Sequence, residues 1–473
     1  MPRAQPLLIA GCLLAATAGA WDGDGELRLL FTGDILLSRE VRREIDRTGR
    51  FPWEGFMGLF RQASWVAGNL EGAVGPAQDC LPGNSASPCF AIAPNLIPLL
   101  AQAGFRALGM ANNHALDLGA PGRDATRKAL REAGLEALSY EDSPVFLRLG
   151  AHTVAILALS IVPDRQGARV EVPSVPLRQK LRLARGLADL VVVYMHWGSE
   201  LLEWPDTRQR QAAEWLIRNG ADLIVGHHPH VVQAPECLLG HPVFYSLGNH
   251  LFDQKYPATK RGLIADCRVR DNVLRCGGVP TLTPAGSAFP ELMSAGDSGA
   301  ADALKACPVK LAPALAVNGY SLDARAIDGQ SGYVIEGARA GVRPWRSPVL
   351  PLVSAEAGRL AGAEGPEFLF TLERHHSSID GEDGVRPYVY EARPSGLVAR
   401  WRGSALAWPL LDAALLPGSG GLLCALHRRD SFLALQPGAE GARTAAYRWN
   451  GFGFSGVEDP GVLARCRALL GSD

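Results

Sequence analysis

The stretch GADLIVGHHPHVVQ, residues 220–233, decides how the chain is read. An apolar run leaves Asp222 in the pattern of a short buried strand and then delivers His227, His228 and His230 around Pro229. Proline neither donates to a sheet ladder nor continues a helix, so these histidines belong on the loop that leaves the strand's carboxyl end. Open α/β sheets place their ligands at that end.

The same pattern repeats on both sides of this stretch. Residues 190–195 form a near-continuous apolar run, expected of a strand covered on both faces, and deliver His196-Trp197-Gly198. Helical spacing at 207–218 joins that strand to the histidine stretch, and a strand at 154–161 followed by a helix at 177–187 precedes it. Nearer the N-terminus, strands at 27–32 and 65–68 end in Gly33-Asp34 and Asn69-Leu70-Glu71. A helix at 95–103 leads to a strand at 106–111 that runs into Asn112-Asn113-His114, and Pro121 suits the first turn of a helix reaching residue 133. After the histidines, a strand at 243–247 reaches Gly248-Asn249-His250. Strand, polar tip and helix in repetition is α/β architecture.

The chain has 473 residues, which predicts more than one core. Its formal net charge of -1, with no basic run, excludes a nucleic-acid or anionic-membrane electrostatic footprint. Arg3, the apolar stretch at 7–16 and Ala18-Gly19-Ala20 read as a secretory signal cleaved after residue 20. The apolar stretch is too short for a bilayer span, so no stable membrane span is expected after cleavage. Ile9-Ala10-Gly11-Cys12 offers lipidation as the alternative. An exported protein, periplasmic or secreted, keeps eight of the nine cysteines once Cys12 is removed, and disulfides are expected. Cys267 and Cys276 flank a hairpin at 262–276 with Asp271-Asn272 as its turn, which sets them opposite one another at a non-hydrogen-bonded position. Cys80 and Cys89 bracket a Pro/Gly/Ser loop and form the next local pair; the pairing of Cys237, Cys307, Cys424 and Cys466 stays open.

Composition shifts near residue 280. The reading is a signal at 1–20, a catalytic-type domain at 21–280, a linker or loop-rich segment at 281–330 and a β-rich accessory domain at 331–473. Short strand patterns at 367–372, 387–391, 397–401 and 431–435, and an echo among Ser377, Ser404 and Ser431, suggest repeated hairpins in the last of these.

Collected together, the strand tips present Asp34, Glu71, Asn113, His114, His196, His228 and His230. Carboxylates, an amide oxygen and imidazoles without cysteine suit borderline divalent ions, Mn, Zn or Fe, and the set allows one or two. Each residue alone has a structural reading as a turn, a cap or a buried histidine. Their coincidence at successive strand ends favours a metal site. His227 and His250 lie near the cluster without completing it, and His152, His241, His375, His376 and His427 lack the placement.

Gly33-Asp34, Asn69-Leu70-Glu71, Asn112-Asn113-His114-Ala115-Leu116-Asp117-x-Gly119, His196-Trp197-Gly198-x-Glu200, Gly226-His227-His228-Pro229-His230 and Leu247-Gly248-Asn249 together resemble the CapA family of poly-gamma-glutamate capsule synthesis proteins over about residues 27–255. That family is similar to the calcineurin-like metallophosphoesterases. The resemblance implies a four-layer α/β/β/α sandwich with metal held by Asp34, Glu71, Asn113, His196, His228 and His230, and His114 as the acid that protonates the leaving group. It also implies substrate contacts from Asn69, Asn112, Trp197, Glu200 and Asn249. The phosphoesterases open with Asp-x-His, whereas Asp34 is followed by Ile35 and Leu36. The expected function is an exported hydrolase using metal-activated water on a phosphoester or in capsule polymer assembly, its partners being that polymer and capsule-assembly proteins. A non-catalytic polymer-binding or export accessory role, and hydrolysis of a γ-linked amide, are the alternatives.

Overall fold

Alternate residues of the strand Leu27–Ile35 enter different apolar interiors, as the two-residue period of a strand requires. The computed structural model describes residues 26–82, 88–293, 304, 306–312, 315–327, 332–360, 362, 365–376, 383–403, 406, 409–428 and 442–471. Leu29 and Phe31 join Trp65, Val192, Tyr194 and Val225 in one buried cluster, whereas Leu30 and Ile35 join Val66, Leu100 and Phe105 in another. The strand Leu190–His196 behaves in the same way, sending Val192 and Tyr194 into the first cluster and Val191, Val193 and Met195 into a third with Leu181 and Leu216. Strands with both faces buried explain the near-continuous apolar runs. Each fully buried leucine or valine contributes roughly 1.5–3 kcal/mol.

Two sheets therefore share one core. The first runs Glu291–Leu292, Val273–Leu282, Arg261–Arg270, Leu27–Ile35, Trp65–Leu70, Ala107–Gly109 and Glu136–Leu138, with Asn249–Leu251 also pairing Leu27–Ile35. The second runs Glu236–Leu238, His241–Phe244, Leu223–His227, Leu190–His196, His152–Ser160 and Val145–Leu149. Parallel neighbours are joined by crossover helices, Gly119–Glu132 in the first sheet and Val175–Leu187 and Thr207–Arg218 in the second. Asp206 caps the last of these in a capping box with Gln209, and Ser174 caps Val175–Leu187 by accepting from the Leu177 N–H. Asp222 at the start of the Leu223–His227 strand accepts from the Val191 N–H at 2.8 Å and from Arg185 at 2.6 Å, fixing where that strand begins.

Three expectations shift in detail. The first strand extends past Gly33 to Ile35, with a bulge that sets Asp34 between Asn69 and Asn249 of its two parallel neighbours. The strand expected at 243–247 divides. His241–Phe244 stays in the second sheet, whereas Ser246–Leu247 pairs with Val232–Gln233 and the Tyr245 carbonyl between them accepts the Trp197 indole N–H at 2.7 Å. The stretch 281–330, expected as linker, carries the strands Glu291–Leu292, Val309–Lys310, Ala316–Val317 and Tyr320–Ala326.

Antiparallel four-stranded sheets follow, spanning Ala316–Val317 to Val342–Arg346, Leu352–Arg359 to Gly396–Arg402, and Leu410–Leu415 to Phe454–Val457. Leu183 and Leu187 of the helix Val175–Leu187 pack into the core shared by the first two, which fastens this β-rich region to the α/β part. The expected hairpin strands at 367–372, 387–391 and 397–401 fall within it. The strand at 431–435, the serine echo at 377, 404 and 431, and the signal at 1–20 with Cys12 lie outside the described residues.

All eight cysteines after Cys12 pair. Cys267 and Cys276 are register partners with Cα atoms 4.0 Å apart, and the turn residues Asp271 and Asn272 both have positive φ, 52° and 59°, as a type I′ turn demands. Cys80–Cys89 forms as expected. Cys237–Cys307 links the edge of the second sheet to the segment feeding Val309–Lys310 of the first, and Cys424–Cys466 holds the helix Pro460–Leu470 to the last sheet.

One backbone contact sets the position of Asp34. A Cβ on Gly33 would lie 1.9 Å from the Gly248 carbonyl oxygen, which accepts the Asp34 N–H at 3.0 Å. Gly33→Ala must push those strands apart, and it is expected to cost about 1–3 kcal/mol or more in chemical denaturation; an unchanged midpoint would contradict this packing.

Candidate metal centre

The carboxyl ends of the two sheets bring the polar tips together. Asp34 and Glu71 are both 0% exposed and, with His196, place ligand atoms within 4.8 Å of one another. Asn69 stands among them. Its Nδ2 donates to Asp34 Oδ1 at 2.8 Å and to Glu71 Oε1 at 3.2 Å, and its Oδ1 accepts from Asn112 at 3.1 Å. Asn112 in turn donates to the Leu70 carbonyl at 2.9 Å and accepts the His114 N–H at 3.1 Å. These amides hold the carboxylates in place.

His230 completes this side. Its Nδ1 lies 2.9 Å from Asn249 Oδ1 and 3.2 Å from Asp34 Oδ2. Asn249 Nδ2 donates to Gln254 and to the Thr259 carbonyl, so its oxygen is the atom that faces the ring. Two acceptors at Nδ1 fix the proton there in the neutral ring and leave Nε2, 3.7 Å from Glu71 Oε2, as the nitrogen that could hold a metal. His196 Nε2 lies 2.9 Å from Asn113 Oδ1, which turns the Asn113 amide onto the ring. His228 packs 4.7 Å from His196, ring to ring, and its N–H reaches Asp34 Oδ2 at 3.3 Å. His228 and His230 flank Pro229 with φ of 96° and 59°, left-handed values that a residue with a Cβ adopts only under constraint.

Charge follows from burial. Burial and the neighbouring Asp34 charge push the Glu71 carboxyl well above its usual range. Burial acts to lower His230, yet Glu71 and Asp34 outweigh it and raise its pKa to about 10. Burial would also raise Asp34, but its hydrogen bond with His230 and the charges of His230 and His227 hold it low. Burial and the surrounding histidines keep His196 neutral, and burial with the His230 charge lowers His228 to about 3. Burial thus favours the protonated form of Glu71, while Asp34 stays a carboxylate beside the His230 imidazolium. Buried Glu71 Oε2 and His228 Nδ1 have no hydrogen-bond partner, which is how a pair of ligands waiting for an ion presents itself. The donor set therefore fits a divalent cation.

Behind the centre, His114 Nδ1 lies 2.9 Å from Asp117 Oδ2, and its ring stacks on Phe90 at 4.1 Å. Asp117 is itself held by Arg165 Nε at 2.5 Å and by the Phe90 N–H at 2.6 Å. Burial would raise Asp117, but His114 and Arg165 keep it low. Sequence reasoning left Asp117 without a role; its three-residue spacing from His114 was the available signal, whereas Arg165 carried none.

Other expectations are corrected. Trp197, expected at the substrate, is fully buried in the core beyond the second sheet, with its indole N–H on Tyr245, and has no surface to offer. Asn69, Asn112 and Asn249 are 2–3% exposed and direct their amides onto Asp34 and Glu71, the Leu70 carbonyl and His230. Glu200 is exposed and close enough to raise Glu71 and His230, which puts it at the mouth. His227 Nε2 donates to the Thr32 carbonyl, 3.1 Å away, and the ring packs on Tyr194, bridging the sheets. His250 sits among Phe56, Phe60 and Phe105 with its Nε2 3.1 Å from the Trp53 indole nitrogen. It is a core residue.

The family described as bacterial capsule synthesis protein PGA_cap matches residues 28–254. The chain is 32% identical over 267 residues to a "Capsule biosynthesis protein CapA" of Bacillus anthracis, a match covering 52% of this chain and 65% of that protein. It is 31% identical over 272 residues to a "PGA biosynthesis protein CapA" of Bacillus subtilis, covering 53% and 69%. A "Probable polyglutamine synthesis accessory protein" of Mycobacterium tuberculosis is 28% identical over 189 residues, 35% of this chain and 50% of that one. The chain thus spans just under two thirds of the anthracis relative, and the β-rich region lies beyond the family match.

A divalent cation bound here competes with the proton that Glu71 and Asp34 favour on His230. Its affinity is therefore expected to rise with pH, and a zinc or manganese titration near neutrality in weak buffer should release protons. Binding without proton release would contradict the charge assignment.

Proposed function

The chain belongs to the bacterial capsule synthesis protein family PGA_cap, within the metallophosphoesterase-like superfamily, and from that premise we propose that it is an exported metal-dependent hydrolase of capsule or poly-γ-glutamate assembly. The observation that carries this reading is the fully buried Asp34–Glu71–His196 group with its orphaned Glu71 and His228 atoms. Asp34, Glu71, His196, His228 and His230 would hold the ion, with the Asn113 carbonyl available once it turns from His196. A divalent ion there supplies Lewis acidity for activating water and offsets charge on a phosphoryl or acyl oxygen.

The chain's own residues do the rest. Asp117, kept ionised by His114 and Arg165, accepts from His114 Nδ1 and so turns Nε2 to where it would hand a proton to a leaving oxygen. Phe90 stacks against the ring and limits its rotation. Asn69 and Asn249 orient Asp34, Glu71 and His230, and Glu200 sets the charge at the entrance. We read the two sheets with helices over their outer faces as the four-layer α/β/β/α sandwich of the superfamily. In the same reading, residues 21–280 form the catalytic-type domain, and the β-rich region after it docks the polymer or an assembly partner. Four disulfides fit an oxidising compartment, and among the described residues no helix is long and apolar enough to cross a membrane.

A second reading, polymer binding without turnover, is favoured by one observation: Leu36, two residues after Asp34, is buried against Phe90 and Phe252 and adds no ligand to the centre. Turnover separates the two. With metal content unchanged, His114→Gln is expected to lower hydrolysis of a generic phosphodiester, or of a γ-glutamyl amide, by about 10²–10⁴. If the metal-loaded wild type turns over neither probe, the binding reading stands instead.

A further inference from the structure

One wall of the centre carries rings in place of ligands. Leu36, Phe90 and Phe252 form a small buried cluster of their own. Phe90 stacks on His114 at 4.1 Å, meets Phe252 edge-on at 5.9 Å, and Phe252 in turn lies 4.8 Å from the His230 ring. The wall therefore runs without a break from the proposed proton donor to a proposed metal ligand.

Arg39 stands over this wall, its guanidinium carbon 5.4 Å from the centre of the Phe90 ring. The side chain is 43% exposed, and its ionic partner among the described residues is Asp253, 3.1 Å away and 5% exposed. The other oxygen of Asp253 accepts the Glu40 N–H at 3.1 Å, so the acid that aims Arg39 is itself tied to the backbone beside it. Arg39 also has φ of 53°, a left-handed conformation disfavoured for a residue with a Cβ. A solvated surface arginine needs neither the strained backbone nor the buried counter-ion. A guanidinium presents five N–H donors in a planar fork. One ion pair and one ring face leave part of that fork open to solvent, one ring away from His114.

We propose that Arg39 is the substrate-recognising residue of this centre and that it grips a carboxylate of an anionic polymer, the repeating group of a polyglutamate. The fork matches a carboxylate in two parallel hydrogen bonds. This inference rests on the reading of the cluster as a metal centre in polymer chemistry. A phosphate offers the same oxyanion chemistry, and the experiment distinguishes it.

The test measures binding of a fluorescent poly-γ-glutamate oligomer, and separately of inorganic phosphate, to the metal-loaded full chain and its Arg39→Gln and Arg39→Lys variants, with metal content determined alongside. Arg39→Gln is expected to weaken polymer binding about tenfold or more. Arg39→Lys is expected to fall between that variant and the wild type, because the charge stays while the fork is lost. Metal content should stay at the wild-type level in both, and the lysine variant serves if the glutamine variant melts early. Equal polymer affinity in wild type and Arg39→Gln, or no polymer binding by the wild type, overturns the inference while the metal content still reads the centre. A loss confined to inorganic phosphate overturns the carboxylate assignment, and a wild type that holds no divalent ion overturns the reading beneath it.

Discussion

Two carboxylates, Asp34 and Glu71, are sealed from water within reach of one amide, and both cannot be charged there without a cation. The rest of the centre follows from that constraint. His230 carries a proton because Glu71 and Asp34 outweigh its burial, whereas burial first, and then the neighbouring histidines, keep His196 and His228 neutral. A divalent ion held here would take over from that proton in offsetting the carboxylates.

The fold supplies the seal. Neither sheet alone could bury the tips, since the first contributes Asp34, Asn69 and Asn249 and the second His196 and the strand leading to His228 and His230. Their shared core brings the carboxyl ends face to face, and His227, reaching from Tyr194 to the Thr32 carbonyl, is one of the few polar ties across it. The close approach of Gly33 to Gly248 lets a third parallel segment bring Asn249 onto His230.

Much of this was legible in the sequence because buried parallel strands leave an unmistakable apolar run and a polar tip. The gathering of Asp34, Glu71, His196, His228 and His230 at the strand ends could be read that way, as could the Cys267–Cys276 hairpin, whose turn residues dictate its register. What could not be read depends on contacts between distant segments. Arg165 reaches Asp117 across 48 residues, Cys237 meets Cys307 across 70, and Trp197 turns into the core because Tyr245 offers its carbonyl there. Asn69 shows a subtler limit: its place beside Glu71 marks it in the sequence, but only the packing shows its amide donating to both Asp34 and Glu71. The strained Arg39 backbone left no mark in composition or spacing.

The most direct measurement is diffraction from crystals grown with zinc, collected at the zinc edge. The account predicts an anomalous peak between Glu71 Oε2 and His230 Nε2, shared with Asp34, His196 or His228 at ligand distances of about 2.0–2.2 Å. A cluster that saturating zinc leaves without a peak, with His230 still bonded through its proton to Asp34, would contradict it.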